Sequence, residues 1–308
     1  MTARSSTSLA ASLANRVKAE RRRYRKRLER CQRKFSESAV HDLRVETRRL
    51  MALLDLLRAL HLPGPLGKIR KVFKKRLDAF DELRDTHVQL SLLRPLWRQF
   101  PEARELDALL CRRERRLTHQ LQQGVLTTKQ ARLERRLKTI EKQLLGSGGP
   151  AVTGPRGAAR PAIAAALREA FDQVVALRRR IRPNRTATIH RTRVAFKRFR
   201  YMCELLRQYL PRLKAEDLGQ MRDYQGMMGN LQDMEVLLAG VRRAVEDKEI
   251  SGRAVGPLRR ELLRRRRELI DIYLAAADSL FDFEPNAAAT PRAGNQTLNH
   301  ETLRIAAR

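Results

Sequence analysis

An internal repeat constrains the fold of this 308-residue chain more than any other feature of its sequence. The stretch VHDLRVETRRL at residues 40–50 matches IHRTRVAFKRF at residues 189–199, so that His41 and His190 lie 149 residues apart. Over the 18 residues that start at Val40, six aligned pairs are identical. A match of this kind predicts that two parts of the chain share one local structure.

A second match supports the same duplication. LRDTHV at residues 83–88 aligns with LQDMEV at residues 231–236, which places Asp85 and Asp233 148 residues apart. Two matches at nearly one offset, separated in each half by a helix-breaking segment, are hard to assign to chance. We therefore predict that the two halves of the chain are copies of one unit.

Apolar residues recur every three or four positions along most of the chain, which is typical of amphipathic helices. In the first helix Leu13, Val17, Tyr24 and Leu28 lie at steps of four, seven and four, which keeps them on one face. No stretch shows the sustained alternation of a β-strand, so the predicted fold class is all-α. Helices are predicted at about residues 9–35, 39–61, 66–94 and 102–145, the last as one or two helices, and again from residue 162.

Glycine and proline concentrate in the segment GSGGPAVTGPRGAARP, which predicts a linker between the halves. Each half then holds about four helices with short connections, which favours antiparallel packing. We expect two four-helix bundles related by an approximate twofold axis. The predicted boundaries are residues 1–146 for the first bundle, 147–161 for the linker, 162–284 for the second bundle and 285–308 for a flexible tail.

The net charge limits the class of partner. The chain has 66 Lys and Arg against 34 Asp and Glu, a formal charge of +32, while 42% hydrophobic residues suffice for a packed core. Charge of this size destabilises a compact state by self-repulsion and is typical of proteins with polyanionic partners. The candidates are DNA, RNA, an anionic membrane surface and inorganic polyphosphate.

The repeated helix carries its positive charge on one face. At about 100° per residue, Leu43, Leu50 and Leu57 share an apolar stripe, and His41 and the arginines of the motif point to nearly the opposite side. An ordinary solvated face mixes both signs of charge, whereas this one has few acids. We therefore expect these cations to line solvent or a groove and to bind an anion.

These motifs resemble the CHAD family, the conserved histidine α-helical domain. The resemblance rests on VHDLRVETRRL and IHRTRVAFKRF, each followed by an LRDTHV- or LQDMEV-type segment, and it extends over about residues 9–280. It implies two four-helix bundles with pseudo-twofold symmetry and a basic surface that binds inorganic polyphosphate. Thr192 and Gln232 depart from the pattern, and the Glu-x-Glu-x-Lys motif of the CYTH triphosphatases, to which CHAD domains are often fused, does not occur.

Polyphosphate is a string of negative charges with no bases, and repeated Arg and Lys donors along a path suit it. The seven steps from His41 to Arg48 span about 10 Å of helix, so one face can contact several successive phosphates. The residues expected to bind are His41, Arg44, Arg48, Arg49, His190, Arg193, Lys197, Arg198 and Arg200, with Lys18, Arg22, Arg25, Lys71, Lys74 and Lys75 extending the path.

Non-specific binding to a nucleic-acid backbone is the alternative function, and it is expected at low salt. No helix-turn-helix, zinc-finger or RNP-type pattern is present, so sequence-specific recognition is not expected. A membrane-surface role through the Arg-rich residues 21–27 and 264–267 is disfavoured because no large apolar side accompanies them.

Neither a metal site nor catalysis is expected. His41 and His190 each lack a second His or Cys one turn away, and neighbouring arginines repel cations. The basic face lacks a carboxylate pair or an activated nucleophile. Asp85 and Asp233 are expected to orient an arginine through ion pairs. The remaining histidines, which have no counterpart in the other half, are expected to be surface or packing residues: His61, His87, His119 and His300.

The expected location is the cytoplasm, with possible association with polyphosphate granules. Cys31, Cys111 and Cys203 are widely spaced and suit a reducing compartment rather than a disulfide framework. No apolar run approaches the ~20 residues that span a bilayer. We expect no cofactor, and the sequence leaves open whether binding serves storage, targeting, scaffolding or chaperoning.

Overall fold

The structure, a computed structural model, describes residues 9–128, 130–146, 156–210 and 212–285. These residues form α-helices joined by short turns and 3-10 segments, and no strand occurs among them, which confirms the all-α class. The helices are α1 (Leu9–Arg33), α2 (Glu37–Ala59), α3 (Leu66–Asp78), α4 (Asp81–Leu93), α5 (Ala103–Leu126), α6 (Ala131–Gly146), α7 (Arg156–Arg178), α8 (Thr186–Leu206), α9 (Ala215–Glu246) and α10 (Gly256–Ala275).

The first copy of the repeated motif lies on α2 and the second on α8. Ser36 caps the start of α2, because its hydroxyl accepts a hydrogen bond from the backbone N–H of Ala39. The helix ends at Ala59, shortly before the Pro-Gly-Pro segment at residues 63–65. Helix α8 follows a turn after α7, so the two motif helices occupy the second position in each half.

The helix predicted at residues 66–94 is two helices rather than one. The chain bends at Ala79 and Phe80, and α4 begins at Asp81 with two acids in its first turn, where the helix dipole favours negative charge. The corresponding part of the second half is uninterrupted, since α9 is a single helix of 32 residues. This difference between the halves changes the surroundings of the motif arginines.

One apolar core runs through both halves. In the first half the core forms around leucines of α2 such as Leu56 and Leu57, which lie among α1, α3 and α6. In the second half α7, α8 and α9 pack around Phe196 and Phe199. The motif helices α2 and α8 contact each other, so their charged faces meet at the centre of the molecule.

A second core takes helices from both halves. Leu93 and Leu106 of α4 and α5 pack with Leu237 and Leu258 of α9 and α10. The crossing of α4 and α9 is close: a Cβ on Gly240 would lie 1.8 Å from the side-chain oxygen of Gln89. The predicted division into two bundles is therefore not confirmed as drawn, because part of each half packs against the other.

The predicted linker at residues 147–161 is shorter than expected. Helix α7 begins at Arg156, so the last six residues of that segment are helical. Residues 147–155, and all of the predicted tail except its first residue, lie outside the described residues. None of the described helices is long and apolar enough to cross a membrane. The three cysteines are unpaired.

Candidate functional site

The charged faces of α2 and α8 border a cavity of about 1130 Å³ at the centre of the molecule. Helices α3, α4 and α9 supply its other walls, and Gln173 and Leu177 of α7 border it as well. The cavity brings together eight of the residues expected to bind: His41, Arg44, Arg48, Lys74, His190, Arg193, Lys197 and Arg198.

Acidic residues neutralise much of the positive charge in the first half of the site. Nine Lys and Arg side chains line the cavity against six Asp and Glu. Four of these nine cations form ion pairs: Arg44 with Asp81, Arg70 with Asp55, Lys74 with Asp78, and Arg84 with both Asp85 and Asp233. All four belong to the first half of the chain, so the remaining charge is concentrated on α8.

Arg44 was expected to line solvent or a groove, and it lies in the wall of the cavity with its side chain buried. Its side chain is only 4% exposed. The guanidinium donates to the backbone carbonyl of Leu77 at 3.0 Å and to the carboxylate of Asp81 at 2.9 Å, and so fastens α2 to the bend between α3 and α4. The bend leaves that carbonyl accessible, which a continuous helix does not.

Three cations meet at the crossing of α2 and α8 without an acid partner. Arg48, Arg193 and Lys197 form no ion pair with any described residue. Burial lowers the pKa of Arg48 to about 10, with Arg44 as a further cause. The pKa of Lys197 falls to about 6, chiefly through burial and then through Arg48 and Arg193.

Buried polar atoms around this cluster lack hydrogen-bond partners. They are Nε of Arg193, Nε of Arg198 and Nδ1 of His190. Buried polar groups are normally satisfied, and buried charges are normally paired. The cluster of Arg48, Arg193 and Lys197, termed the crossing cluster below, therefore has the composition of an anion site: converging donors, partly desolvated positive charge and no ion pair with a described acid, although Asp233 acts on Arg193 from a greater distance.

The two motif histidines differ in their surroundings. His41 is exposed at the edge of the cavity, whereas His190 is half-buried. Burial lowers the pKa of His190, a hydrogen bond with Gln232 opposes this, and Arg193 and Lys197 lower it further. Gln232, which departs from the first-half pattern, thus positions a motif histidine.

Seven residues expected to bind do not line the cavity. Arg49 pairs with Glu46 on the side of α2 that faces α1. Arg200 is buried, bonds to Gln225 and Glu204 and lies over the ring of Tyr201. Around their helices, Arg49 and Arg200 lie next to the binding face. The sequence pattern therefore did not distinguish them from the residues that line the cavity. The other five are exposed elsewhere: Lys18, Arg22, Arg25, Lys71 and Lys75.

Sequence reasoning missed several residues of the cavity, of which Arg84 is the most central. It lies between Asp85 and Asp233, so the expectation that these repeated acids orient an arginine is confirmed. Its position beside the repeated Asp85 was the available signal. Arg70, Arg191 and Tyr201 also line the cavity without having been anticipated.

Of the other histidines, His87 lines the cavity. His87 lies 3.0 Å from Glu114, while His61 and His119 are exposed, and His300 falls outside the described residues. Within the described ranges, no group of three or more His, Cys, Asp or Glu side chains could hold a metal ion.

Comparisons with known proteins agree with this architecture. A family model, the CHAD domain, matches residues 15–242. The crystal structure of the CHAD domain from the plant Ricinus communis superposes with a TM-score of 0.71, at 20% sequence identity, over 91% of this chain and 94% of that chain. No curated protein matches the chain. Because the family model covers most of the sequence, the chain belongs to the CHAD domain family.

Proposed function

We propose that this chain binds inorganic polyphosphate in the cavity between α2 and α8. The observation that carries the proposal is the crossing cluster, in which Arg48, Arg193 and Lys197 lie half-buried and form no ion pair with a described acid. Without a ligand, desolvation and mutual repulsion disfavour the charged forms of these side chains, which is why the pKa values of Arg48 and Lys197 are lowered. A polyanion relieves both.

The shape of the cavity supports a chain-like anion over a compact one. The free cations are spread along α8 from Arg191 to Arg198, which is about 10 Å of helix. His41 and His190 lie near the N-terminal ends of α2 and α8, and the row of cations begins at that end with Arg191. A flexible chain of phosphates can follow the row and contact several donors in turn, because Arg and Lys bind phosphate oxygens without needing bases.

We propose a binding module rather than an enzyme. Five of the six cavity carboxylates are engaged in ion pairs with Arg or Lys, an arrangement that suits orientation of cations better than proton transfer. A cytoplasmic role in targeting or scaffolding at polyphosphate granules follows from this proposal. Each of these roles needs retention of the polymer and no chemical step.

The test is a titration of labelled long-chain polyphosphate near physiological salt, with duplex DNA and RNA as competitors. The variant Arg48→Gln/Arg193→Gln removes two cations from the crossing cluster. It is preferable to any variant of Arg44, whose loss would disturb the fold. We expect the wild type to prefer polyphosphate and the variant to lose about 100-fold in affinity, at ~1.4 kcal/mol for each charge-assisted contact.

The matched control is Arg58→Gln/Arg179→Gln. Both residues are exposed and neither lines the cavity, so the net charge falls equally while the site stays intact. The control should bind polyphosphate nearly as tightly as the wild type. Equal losses in the two variants, or equal competition by nucleic acid in the wild type, would instead favour the alternative of a general polyanion surface.

A further inference from the structure

Helices α1 and α6 form a basic face that does not belong to the cavity. No residue of α1, α5 or α6 lines the cavity. The two helices pack against each other, and the ion pairs Arg21–Glu141 and Arg25–Glu134 connect them. These pairs show that the helices run antiparallel, since an earlier residue of α1 meets a later residue of α6.

This register brings exposed cations of the two helices to matching heights. Residues at or within one turn of the ion pairs give three levels: Lys18 with Lys142, Arg22 with Lys138, and Arg25 with Arg135. At about 100° per residue, the three cations of α1 lie within about 60° of one another, on the side next to α6. The levels are spaced about 5–6 Å apart along the helices. We call these six residues the α1–α6 ladder.

The ladder is little neutralised by the protein. All six side chains are exposed, and among the described residues only Arg25 has acid neighbours within ion-pair distance, Glu29 at 3.6 Å and Glu134 at 4.0 Å. Exposed pairs at such distances contribute little to binding or stability. On α10, by contrast, acids neutralise several arginines, because Arg264, Arg265 and Arg266 form ion pairs with glutamates.

The composition of the face discriminates between classes of polyanion. Tyr24 is the one aromatic residue of α1 and is buried, and α6 has none, so stacking of single-stranded bases is not available. Leu145 is the one large apolar side chain that α1 and α6 expose, which is too little for a membrane-surface helix. Two parallel rows of cations on helices about 8–10 Å apart suit phosphates of two strands facing across a groove.

We propose that the α1–α6 ladder binds the phosphate backbone of double-stranded nucleic acid, independently of base sequence and of the central cavity. The cations supply electrostatic contacts to both strands, and nothing on the face reads bases. The chain then has two polyanion sites of different kinds, one in a cavity and one on an open face. Such a protein can hold both polymers at once.

The experiment measures binding of a mixed-sequence DNA duplex as a function of salt. Six phosphate contacts predict a slope of log K against log salt of about −5, at roughly −0.9 for each contact. Replacing four ladder cations removes about 3 to 4 units of that slope and at least about tenfold of the affinity. The variant is Lys18→Gln/Arg22→Gln/Lys138→Gln/Lys142→Gln, tested beside a control with the same charge change on the α9–α10 end: Arg242→Gln/Arg243→Gln/Arg253→Gln/Arg259→Gln.

Two comparisons make the result decisive. The ladder variant should retain polyphosphate binding, whereas Arg48→Gln/Arg193→Gln should retain the full DNA slope even if the cavity proves not to bind polyphosphate. Circular dichroism and thermal unfolding check that the ladder variant is folded, which its exposed positions favour. An equal loss of DNA slope in the control would overturn the proposal, and so would a parallel loss of DNA and polyphosphate binding in the ladder variant.

Discussion

The two copies of the repeated motif have the same sequence signature and different physical roles. In α2, Arg44 is sealed inside the protein and bonded to Leu77 and Asp81. In α8, the equivalent Arg193 has no described ion pair, and its Nε lacks a hydrogen-bond partner. One copy fastens the fold, and the other leaves its charge available for a ligand.

The cause lies in the helix that each arginine faces. The offset of 148 residues that aligns Asp85 with Asp233 also aligns Asp81 with Gly229. A Cβ on Gly229 would lie 3.8 Å from Nε of Arg193, so the arginine lies directly over a position that carries no side chain. The bend that exposes the carbonyl of Leu77 is also absent from α9, where backbone carbonyls are used within the helix.

A second difference occurs one turn further along. Arg48 in α2 corresponds to Lys197 in α8, and both belong to the crossing cluster. Burial and like charges lower the pKa of both, but only lysine reaches the physiological range, at about 6 against about 10. At this pair of positions α2 therefore keeps a constant positive charge on Arg48. The charge of Lys197 on α8 depends on its surroundings.

The largest expected effect is a dependence of polyphosphate affinity on pH, set by Lys197. This amine faces Arg48 from α2, Arg84 from α4, and Arg193 and Arg200 from α8. A bound polyanion favours its protonated form, so binding takes up a proton above pH 6. Affinity should fall by up to about tenfold for each pH unit between about 6 and 8. Long chains are the suitable probe, because terminal phosphates, which titrate near pH 6, are then few.

The stability of the ligand-free protein should change with pH in the opposite direction to the affinity. The pKa of Lys197 in the ligand-free folded protein lies below its ordinary value of 10.5, so the unfolded chain binds more protons between about 6 and 10.5. Stability without ligand should therefore rise with pH across this window. Lys197→Arg, which stays charged, should flatten the pH dependence of affinity. A steep dependence that persists in Lys197→Arg would assign the proton to another group.

The next effect tests whether Arg44 is structural. Arg44→Ala removes a buried guanidinium and leaves its two acceptors without that donor. We expect it to lower the free energy of unfolding by about 2–3 kcal/mol. Arg193→Ala removes a half-buried charge that has no described ion pair and should not lower it. Urea unfolding followed by circular dichroism measures both. Similar losses in the two variants would mean that the motif arginines act alike, against the comparison of α2 with α8.

A smaller effect is expected from restoring the missing acid. Gly229→Asp should give Arg193 the partner that Asp81 gives Arg44, and add a negative charge to the cavity. Polyphosphate affinity should then fall by about tenfold, or ~1.4 kcal/mol, although no cation has been removed. Gly229→Ala is the matched control, since its methyl would make ordinary contact and alanine favours the helix. Equal affinity for Gly229→Asp and the wild type would show that Arg193 does not contact the ligand.

Much of this organisation could be predicted from the sequence. Apolar periodicity located the helices, and the repeated motif located the two helices that border the cavity, because both signals depend on neighbours a few residues apart. The bend at Ala79 and Phe80 was missed, since the apolar pattern of residues 66–94 continues through it. The second core was missed as well, because packing of α4 against α9 depends on contacts between distant segments.

Within the site, the sequence identified which cations share a helix face but not which of them are neutralised. Arg44 and Arg193 are indistinguishable by motif, and the acid that separates their roles lies on another helix, 37 residues beyond Arg44. Arg84 was not predicted as a site residue for the same reason, because its partner Asp233 belongs to the other half of the chain. Charge pairing across helices is a tertiary property, and local patterns carry little information about it.

The smallest expected effect separates the two histidines. His41 is exposed, so water competes with any contact it makes, and His41→Ala should weaken polyphosphate binding by about twofold at most. His190 is half-buried beside Arg193 and Lys197, its Nδ1 lacks a partner, and its pKa is lowered by burial. A bound phosphate would favour its protonation, so His190→Ala should cost about fivefold at pH 6 and less at pH 8. Isothermal titration calorimetry at both pH values measures the difference, and a larger loss for His41→Ala would reverse the assignment of α8 as the principal binding helix.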